Sequence, residues 1–300
     1  MSSYTPITLP YFAPAHTLPA PLPTLEEVLS STDFLSFQIP NLSKQVSRVG
    51  KHFVAKYGAQ VRSVEGETML FIQQHTTIPI PQVYAIYTFG EGKTMIIMEF
   101  IEGKTIDRCI MTIDRTSFGI AMERLRAQVD ELRRIPAPNY YGSIGRQPLF
   151  ECYHSCEYGP FDNIKDFITA NYDTWFPRKE TQRFTDLKKF FTTSLECIAT
   201  GKEHINPVFT HGDLHEQNVI IRSDGTPFMI DFEESGFYPA YYEHLVTAMA
   251  NCQFDCLSEK FPDECAIIMD CRTAWHKAEH EELLYASEEE MESQKEQSGI

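Results

Sequence analysis

The sequence predicts an α+β protein of two lobes, a small lobe built on an antiparallel sheet and a larger, mostly helical lobe. Strand-like runs surround a single helical pattern in the first hundred residues. After Gly103, apolar residues recur mainly at helical spacing, and 300 residues are enough for about two domains. A cleft between two such lobes is a preferred place for a ligand.

The small lobe is predicted to contain four strands and one helix, in the order strand, strand, helix, strand, strand. The strands turn at Gly50 and at the Gly90-Glu91-Gly92 segment, and two prolines after the helix prevent its continuation. Six prolines before residue 24 predict an extended arm over 1–24, and Thr24 is in position to cap a helix. The predicted strands and helix cover residues 45–57, 64–75, 82–90 and 93–101.

Helical patterns dominate the large lobe. Apolar residues from Phe118 to Leu132 share one helix face, which ends before Pro136. A compact strand-like segment at 218–232 turns at Asp224-Gly225. Further helical patterns cover 162–172, 181–200, 241–253 and 263–284. The predicted boundaries are 1–24 for the arm, 25–101 for the small lobe, 102–285 for the large lobe and 286–300 for a solvated acidic tail.

The composition is typical of a soluble globular protein, with 42% hydrophobic and 23% charged residues. Nucleic acids and anionic membranes are bound through clustered Lys and Arg, so a formal net charge of −16 argues against both as partners. The sequence shows no apolar run that could span a bilayer and no signal peptide, and its eight cysteines are expected to be reduced thiols. We therefore expect a cytoplasmic protein and favour a monomer.

The most informative segment is HGDLHEQN at 211–218, which is followed thirteen residues later by Asp231 at the end of an apolar strand. Asp213 and Asn218 lie five residues apart across a tight loop and can face one site with Asp231. Asn218 and Asp231 would supply the oxygen ligands that Mg²⁺ prefers, while nucleotide phosphates complete its shell. Asp213 is then left to orient an acceptor hydroxyl and to take its proton late, as the O–P bond forms. His211 is expected to brace the loop through hydrogen bonds. The pattern predicts phosphoryl transfer.

The chain resembles the aminoglycoside phosphotransferase and choline kinase-like family over about residues 45–245, most closely a branch that is abundant in fungi. The resemblance is carried by HGDLHEQN, DFE (231–233), VAKYG, EGETMLFIQQHT, IIMEFIEGKTI, ELRRIPAP, GPFDN and GFYPAYYEH. That family has a protein-kinase-like fold. The resemblance implies ATP-dependent O-phosphorylation of a small-molecule hydroxyl acceptor, with ATP and Mg²⁺ bound in the cleft.

The resemblance also implies roles for residues of the small lobe. Lys56 in VAKYG would hold the α- and β-phosphates and pair with an acidic residue on the following helix. Glu65 and Glu67 point in different directions from that helix, so only one of them can face the lysine, and Glu65 is favoured. The segment Met98-Glu99-Phe100-Ile101 resembles the hinge, where the carbonyl of Glu99 and the amide of Ile101 would meet the adenine edge.

Departures from the family pattern leave alternatives open. No glycine-rich motif precedes Lys56, and Glu233 of the DFE segment either touches the metal site or is solvated. A catalytically weak or inactive kinase-like protein that binds a nucleotide or a partner is therefore an alternative. A protein kinase is less favoured, because HGD lacks the arginine of HRD and the segment after Asp231 is too short to dock a peptide. The candidate phosphate donors in the stretch 40–50 are Ser43, Lys44, Gln45 and Ser47.

The acceptor is expected to bind in the large lobe, around 155–175 and 237–275. Acidic side chains there are available to meet an amine, so an amine-bearing alcohol or sugar is the first hypothesis. The identity of the acceptor and the choice between ATP and GTP stay open. The acidic residues in question are Glu157, Asp162, Asp166, Glu234, Glu243, Asp255 and Asp270.

Overall fold

A computed structural model describes residues 4–35, 43–151, 155–175 and 206–249, together with residues 189 and 193. These residues form the predicted α+β architecture of two lobes. The predicted helix at 263–284, the acidic tail and all but two residues of the helix at 181–200 lie outside the described residues. Among the helices of the described part, none has the length and apolar character needed to cross a membrane.

The small lobe is a five-stranded antiparallel sheet with one long helix packed on it. The elements are β1 (Tyr11–Phe12), α1 (Leu25–Ser30), β2 (Gln45–Val49), β3 (Phe53–Gly58), α2 (Ser63–His75), β4 (Val83–Phe89) and β5 (Lys93–Glu99). The strand order is β1-β4-β5-β3-β2. Strands β2 to β5 and helix α2 lie where the sequence patterns predict them.

The two faces of this sheet are covered differently. Lys56 of β3 lies opposite Val46 of β2 and Ile96 of β5, on the face that carries α2. The alternating residues, such as Ala55, point to the other face, because successive side chains of a strand alternate. The alternation therefore places Lys56 between the sheet and α2.

The N-terminal arm covers the outer face of the sheet. Strand β1 pairs with β4, with Tyr11 opposite Ile86, an interaction that the proline pattern does not predict. Helix α1 begins after Thr24, whose hydroxyl accepts a hydrogen bond from the Glu27 N–H at 3.2 Å. The Glu27 carboxylate accepts from the Thr24 N–H at 2.7 Å in return. This reciprocal cap orients α1 so that Val28 is buried against the sheet.

The large lobe combines helices with three small antiparallel sheets, β11-β10-β6, β12-β9 and β7-β8. Its elements are β6 (Lys104–Thr105), α3 (Ile106–Cys109), α4 (Arg115–Leu132), β7 (Leu149–Glu151), β8 (Cys156–Tyr158), α5 (Ile164–Trp175), β9 (Pro207–Thr210), β10 (Val219–Ile221), β11 (Pro227–Met229), β12 (Gly236–Pro239) and α6 (Tyr242–Met249). The patterns predict α4, α5, α6 and the β10–β11 pair. Strands β6 to β9 and β12 are missed because two to four residues are too few to show a period.

One hydrophobic core joins the two lobes. Phe71 of α2 lies 5.9 Å from Phe209 of β9 and 6.4 Å from Phe237 of β12, measured between ring centroids. The apolar face of α4 belongs to the same core, including Leu125 and Leu132. Strand β9 ends immediately before His211. The core therefore fixes α2 relative to the HGD loop, although the two are about 140 residues apart in the sequence.

Candidate active site

The backbone of the HGD loop is held by a buried carboxylate. Glu243 of α6 accepts hydrogen bonds from the backbone N–H groups of His211 at 2.6 Å and Gly212 at 3.3 Å. The Ser235 hydroxyl donates to the His211 carbonyl at 2.7 Å. Glu243 is only 2% exposed. The expectation that Glu243 is available to an acceptor amine is therefore wrong, because its oxygens are used inside the protein.

The His211 imidazole connects this loop to the end of β11. Its Nε2 lies 3.0 Å from the Ile230 carbonyl oxygen, and its Nδ1 lies 3.3 Å from the backbone nitrogen of Asp213. Burial lowers the pKa of His211, which favours the neutral ring. A neutral ring has one donor and one acceptor nitrogen, which suits these two contacts. The expected bracing contacts of His211 are therefore present.

Gly212 occupies a position where a side chain does not fit. Its φ of +87° lies in the region that L-residues rarely adopt. A Cβ atom added there would lie 2.5 Å from the Glu234 carbonyl oxygen. Both constraints explain why the loop has glycine between His211 and Asp213.

Gly212→Ala is expected to destabilise the protein more than Gly225→Ala. Gly225, in the β10–β11 turn, has a similar φ of +75°, but the nearest atom to an added Cβ is the Arg124 guanidinium at 3.7 Å. The control variant should therefore cost about 1 kcal/mol of unfolding free energy, and Gly212→Ala about 1–3 kcal/mol more. Equal losses in urea denaturation would contradict the steric explanation.

Asp213 and Asn218 meet in the loop that the motif predicts. The Asn218 Nδ2 group donates to the backbone carbonyl and to the Oδ2 atom of Asp213, both at 2.8 Å. His215 Nε2 lies 3.4 Å from the same Oδ2 atom, and the hydrogen bond to Asp213 raises the pKa of His215. Because the amide nitrogen of Asn218 is used in this way, its Oδ1 oxygen is the atom left for a ligand.

Lys56 is the centre of a buried cluster of charges. Its Nζ donates to Glu65 Oε1 at 2.8 Å, to Asp231 Oδ1 at 2.7 Å and to Glu233 Oε2 at 3.1 Å. The Lys56 side chain is 3% exposed. Three elements contribute to this cluster: β3 the lysine, α2 one glutamate, and the segment after β11 the other two acids. The arrangement joins the small lobe to the large lobe.

The partner of Lys56 on α2 is Glu65, not Glu67. Glu67 instead accepts hydrogen bonds from the Tyr4 hydroxyl at 2.8 Å and the Ser63 hydroxyl at 3.0 Å. The two glutamates are separated by about 200° around the helix, so their side chains leave it in different directions.

The charged groups of this cluster shift one another's pKa values. Burial would lower the pKa of Lys56, but the surrounding carboxylates outweigh it and raise the pKa well above the usual value. Desolvation would raise the pKa of Asp231, but the ammonium groups of Lys56 and Lys44 lower it below its usual value. Burial raises the pKa of Glu65 to about 7 despite Lys56. At neutral pH Asp231 is therefore ionised.

Asp231 has an unusual backbone conformation. Its φ of +63° lies in the left-handed region, which a non-glycine residue rarely adopts. Asp and Asn tolerate this region better than other side chains. Such conformations cost about 1–3 kcal/mol and tend to occur at functional sites.

The chemistry of Asp231 and Asn218 suits Mg²⁺. The ionised Asp231 carboxylate, 33% exposed, and the Asn218 amide oxygen, to which no described residue donates, are both hard oxygen ligands. Within the described residues no hydrogen bond joins these two side chains. They are linked through Ile230, whose N–H donates to the Asn218 carbonyl at 3.0 Å. The carboxylates of Glu65, Asp231 and Glu233 also approach one another within 4.8 Å, but Lys56 already supplies the cation among them.

The hinge segment begins with the last two residues of β5. Met98 and Glu99 end the strand, and the Phe100 N–H donates to the His52 carbonyl at 2.9 Å. The Glu99 carboxylate accepts from the Gln82 N–H at 3.2 Å, so this side chain turns back to the sheet. The Ile101 N–H makes no hydrogen bond to any described residue. The Ile101 N–H is therefore left without a partner among the described residues, although the residue is buried.

Among the four candidate phosphate donors, Lys44 reaches the charged cluster. Its Nζ contacts both carboxylate oxygens of Glu233, at 2.7 and 2.9 Å. Ser47 is fully buried on the outer face of the sheet and is not accessible to a nucleotide. The Ser43 carbonyl accepts from the Gln60 N–H at 2.9 Å. Only the lysine joins the contacts around Lys56.

Three of the acidic residues predicted near the acceptor have charged or polar partners within the protein. Asp162 pairs with Arg146 at 2.8 Å and Glu157 pairs with Arg62 at 2.8 Å, while Asp166 accepts from the Asn163 side chain at 2.6 Å. Asp162 and Glu157 are more than half exposed, so both stay accessible. Asp255 and Asp270 lie outside the described residues.

The buried Glu243 is expected to make stability depend on pH. Burial raises its pKa from 4.5 to about 7, so its protonated form favours the folded state. That contribution is complete below pH 4.5 and is lost as the pH rises to about 7. The unfolding free energy of the wild type minus that of Glu243→Gln should therefore fall by about 3 kcal/mol over this interval. Parallel stability curves for the two proteins would contradict this assignment.

A two-lobed fold in which a buried Lys–Glu pair contacts Asp231, next to an Asp–Asn loop bonded to Ile230, defines a kinase-like protein. The chain belongs to the phosphotransferase enzyme family, whose model matches residues 52–256. The predicted family and fold are thereby confirmed, and the particular branch stays a prediction. No curated protein matches the chain by sequence.

Solved structures of aminoglycoside phosphotransferases share this fold. The apo form of a thermostable mutant of APH(4)-Ia is 16% identical, with a TM-score of 0.59 over 83% of this chain and 87% of that chain. A ternary complex of a thermostable APH(4)-Ia mutant with ADP and hygromycin B is also 16% identical, with a TM-score of 0.58 over 83% and 86%. A GDP and kanamycin complex of an APH(2")-type enzyme is 14% identical, with a TM-score of 0.53 over 82% and 83%. At 14–16% sequence identity, these structural similarities establish the fold alone.

Proposed function

We propose that this protein transfers the γ-phosphoryl group of MgATP to a hydroxyl group of a small molecule. The observation that carries this proposal is that Lys56 donates hydrogen bonds to both Glu65 and Asp231. Asp213 and Asn218 share a loop that His211 connects to the Ile230 carbonyl, just after β11. Membership of the phosphotransferase enzyme family supports this assignment.

The predicted nucleotide, metal and catalytic residues have distinct roles in this proposed reaction. Lys56 binds phosphate oxygens, Asn218 and Asp231 supply the ligands for Mg²⁺, and the backbone of the Met98–Ile101 hinge, at Glu99 and Ile101, meets the adenine. Bound Mg²⁺ neutralises charge on the phosphates. Asp213 orients the acceptor hydroxyl and takes its proton as the new O–P bond forms. The bond between the γ-phosphorus and the β–γ bridging oxygen breaks, and ADP leaves with that electron pair.

An amine-bearing alcohol or sugar is our proposed acceptor. The accessible carboxylates of Glu157 and Asp162 lie in the region assigned to it, and a cationic amine suits their charge. Solved structures with the same fold are complexes of ADP with hygromycin B and of GDP with kanamycin, which is consistent with this class. We further propose that the protein acts as a cytoplasmic monomer.

A nucleotide- or partner-binding protein without turnover is the second candidate. One observation favours it. The ammonium groups of Lys44 and Lys56 both donate to the Glu233 carboxylate, so a nucleotide phosphate would have to displace that carboxylate. The protein-kinase alternative has less support, because α6 begins eleven residues after Asp231 and leaves little chain to dock a peptide.

ADP release with a panel of hydroxyl compounds tests the proposal. The panel pairs each amine-bearing alcohol with its deaminated analogue, and ATP is compared with GTP. We expect ADP release that requires Mg²⁺ and an acceptor and that yields one phosphorylated product per ADP. Mg²⁺-independent ATP binding with no turnover on any acceptor would favour the second candidate instead.

A further inference from the structure

One carboxylate in the cleft is bound by two lysines from the small lobe. Glu233 Oε1 and Oε2 lie 2.7 and 2.9 Å from Lys44 Nζ, and Oε2 lies 3.1 Å from Lys56 Nζ. The Glu233 side chain is nearly buried, whereas the Lys44 side chain is 33% exposed. The group of Lys44, Lys56 and Glu233 is therefore an anion held between two ammonium groups.

The position of Lys44 is built into the backbone. Gly58 ends β3 with a φ of +144°, and a Cβ atom added there would lie 1.9 Å from the Ser43 carbonyl oxygen. The same carbonyl accepts from the Gln60 N–H at 2.9 Å. The chain before β2 therefore packs against the end of β3 at Ser43. Lys44 is the next residue, and it lies two residues before Val46, which is opposite Lys56.

The charge of Lys44 suits an anionic ligand. Burial and the neighbouring Lys56 would lower its pKa, but the Glu233 and Asp231 carboxylates outweigh them and raise it. Lys44 is therefore protonated at neutral pH. Two ammonium groups that converge on one pair of oxygens can bind phosphate oxygens in the same way, because both anions accept charge-assisted hydrogen bonds.

We propose that Lys44 is a second phosphate-binding residue of the cleft. It supplies from a side chain the contact that a glycine-rich loop would supply from backbone N–H groups. Glu233 holds Lys44 and Lys56 in place until a nucleotide phosphate replaces its carboxylate. This inference rests on the proposed function, since it requires a nucleotide between the lobes.

Equilibrium titrations of wild type and Lys44→Met with MgATP and with adenosine test this inference. Loss of a charge-assisted hydrogen bond should raise the Kd for MgATP about tenfold or more. The Kd for adenosine, which has no phosphate, should be unchanged. Lys44→Arg should keep the MgATP affinity within about threefold of wild type, because it keeps the charge. Lys51→Met is the matched control, because Lys51 is an exposed lysine in the β2–β3 turn.

The Glu233→Gln background separates a direct contact from an indirect one. If Lys44 binds phosphate itself, Lys44→Met costs affinity in this background too. If it acts only by holding Glu233, the cost disappears, and the inference is overturned. An unchanged MgATP affinity of Lys44→Met overturns it as well. Failure of the wild type to bind either MgATP or adenosine would overturn the proposed function, and this inference with it.

Discussion

Asp213→Ala is expected to lower kcat for phosphoryl transfer by about 10²–10⁴-fold. The Kd for MgATP should change by less than about threefold, because Asn218 keeps its hydrogen bond to the Asp213 backbone carbonyl and no described contact joins the Asp213 side chain to the Lys56 cluster. Steady-state kinetics with the acceptor found in the panel, combined with nucleotide titration, separate the two effects. Asp33→Ala is the control, since Asp33 is exposed and lies outside the cleft.

Near-normal transfer by Asp213→Ala would mean that another group takes the proton. A large loss of MgATP affinity in the same variant would instead place Asp213 in the metal site. Asp213→Asn refines the test, because it preserves the size of the side chain and removes the base. Both variants should show the same loss of kcat if proton transfer is the role of Asp213.

Asp231→Asn is expected to raise the Kd for MgATP about tenfold to a hundredfold and to lower kcat as well. The carboxylate is the one charged ligand that we assign to Mg²⁺, and an amide oxygen binds a divalent cation more weakly. Asparagine tolerates the φ of +63° at this position, so the fold should be retained. Titration of Mg²⁺ at a fixed ATP concentration measures the effect directly.

The metal dependence distinguishes this assignment from a purely structural role. If Asp231 only neutralises Lys56, the Asp231→Asn variant will lose affinity for ATP equally with and without Mg²⁺. If Asp231 is a ligand, the loss is confined to the Mg²⁺ complex. An unchanged Mg²⁺ requirement would therefore contradict the metal role.

Much of the small lobe could be predicted from local patterns, because β2 to β5 and α2 are long enough to show their periods. Helix geometry limits the partner of Lys56 to one of Glu65 and Glu67, and the choice of Glu65 comes from the family resemblance. The Asp213–Asn218 contact lies within one loop and is visible in the motif. These features share a short separation along the chain or a regular spacing.

The remaining features depend on contacts between distant segments. Glu243 lies 32 residues from His211, and its burial, which decides its role, has no local signal. The prediction that it meets an acceptor amine is wrong because the sequence does not show which acidic residues are buried. Lys44 and Glu233 are separated by 189 residues. The sequence indicates each of them as a candidate site residue, but it does not show that they are in contact. Short strands such as β9 and β12 are recognised only through the partners they find in the folded protein.

Strand β1 has a consequence for how much of the chain folds on its own. It covers one edge of β4, and the Ala13 N–H extends the pairing by donating to the Tyr84 carbonyl at 2.8 Å. An uncovered strand edge invites self-association with other molecules. A fragment trimmed to the family match, which begins at residue 52, would lose the β1 pairing and the Val28 side chain that is buried on the outer face of the sheet. We therefore expect a stable fragment to begin at or before Tyr11, upstream of the family match.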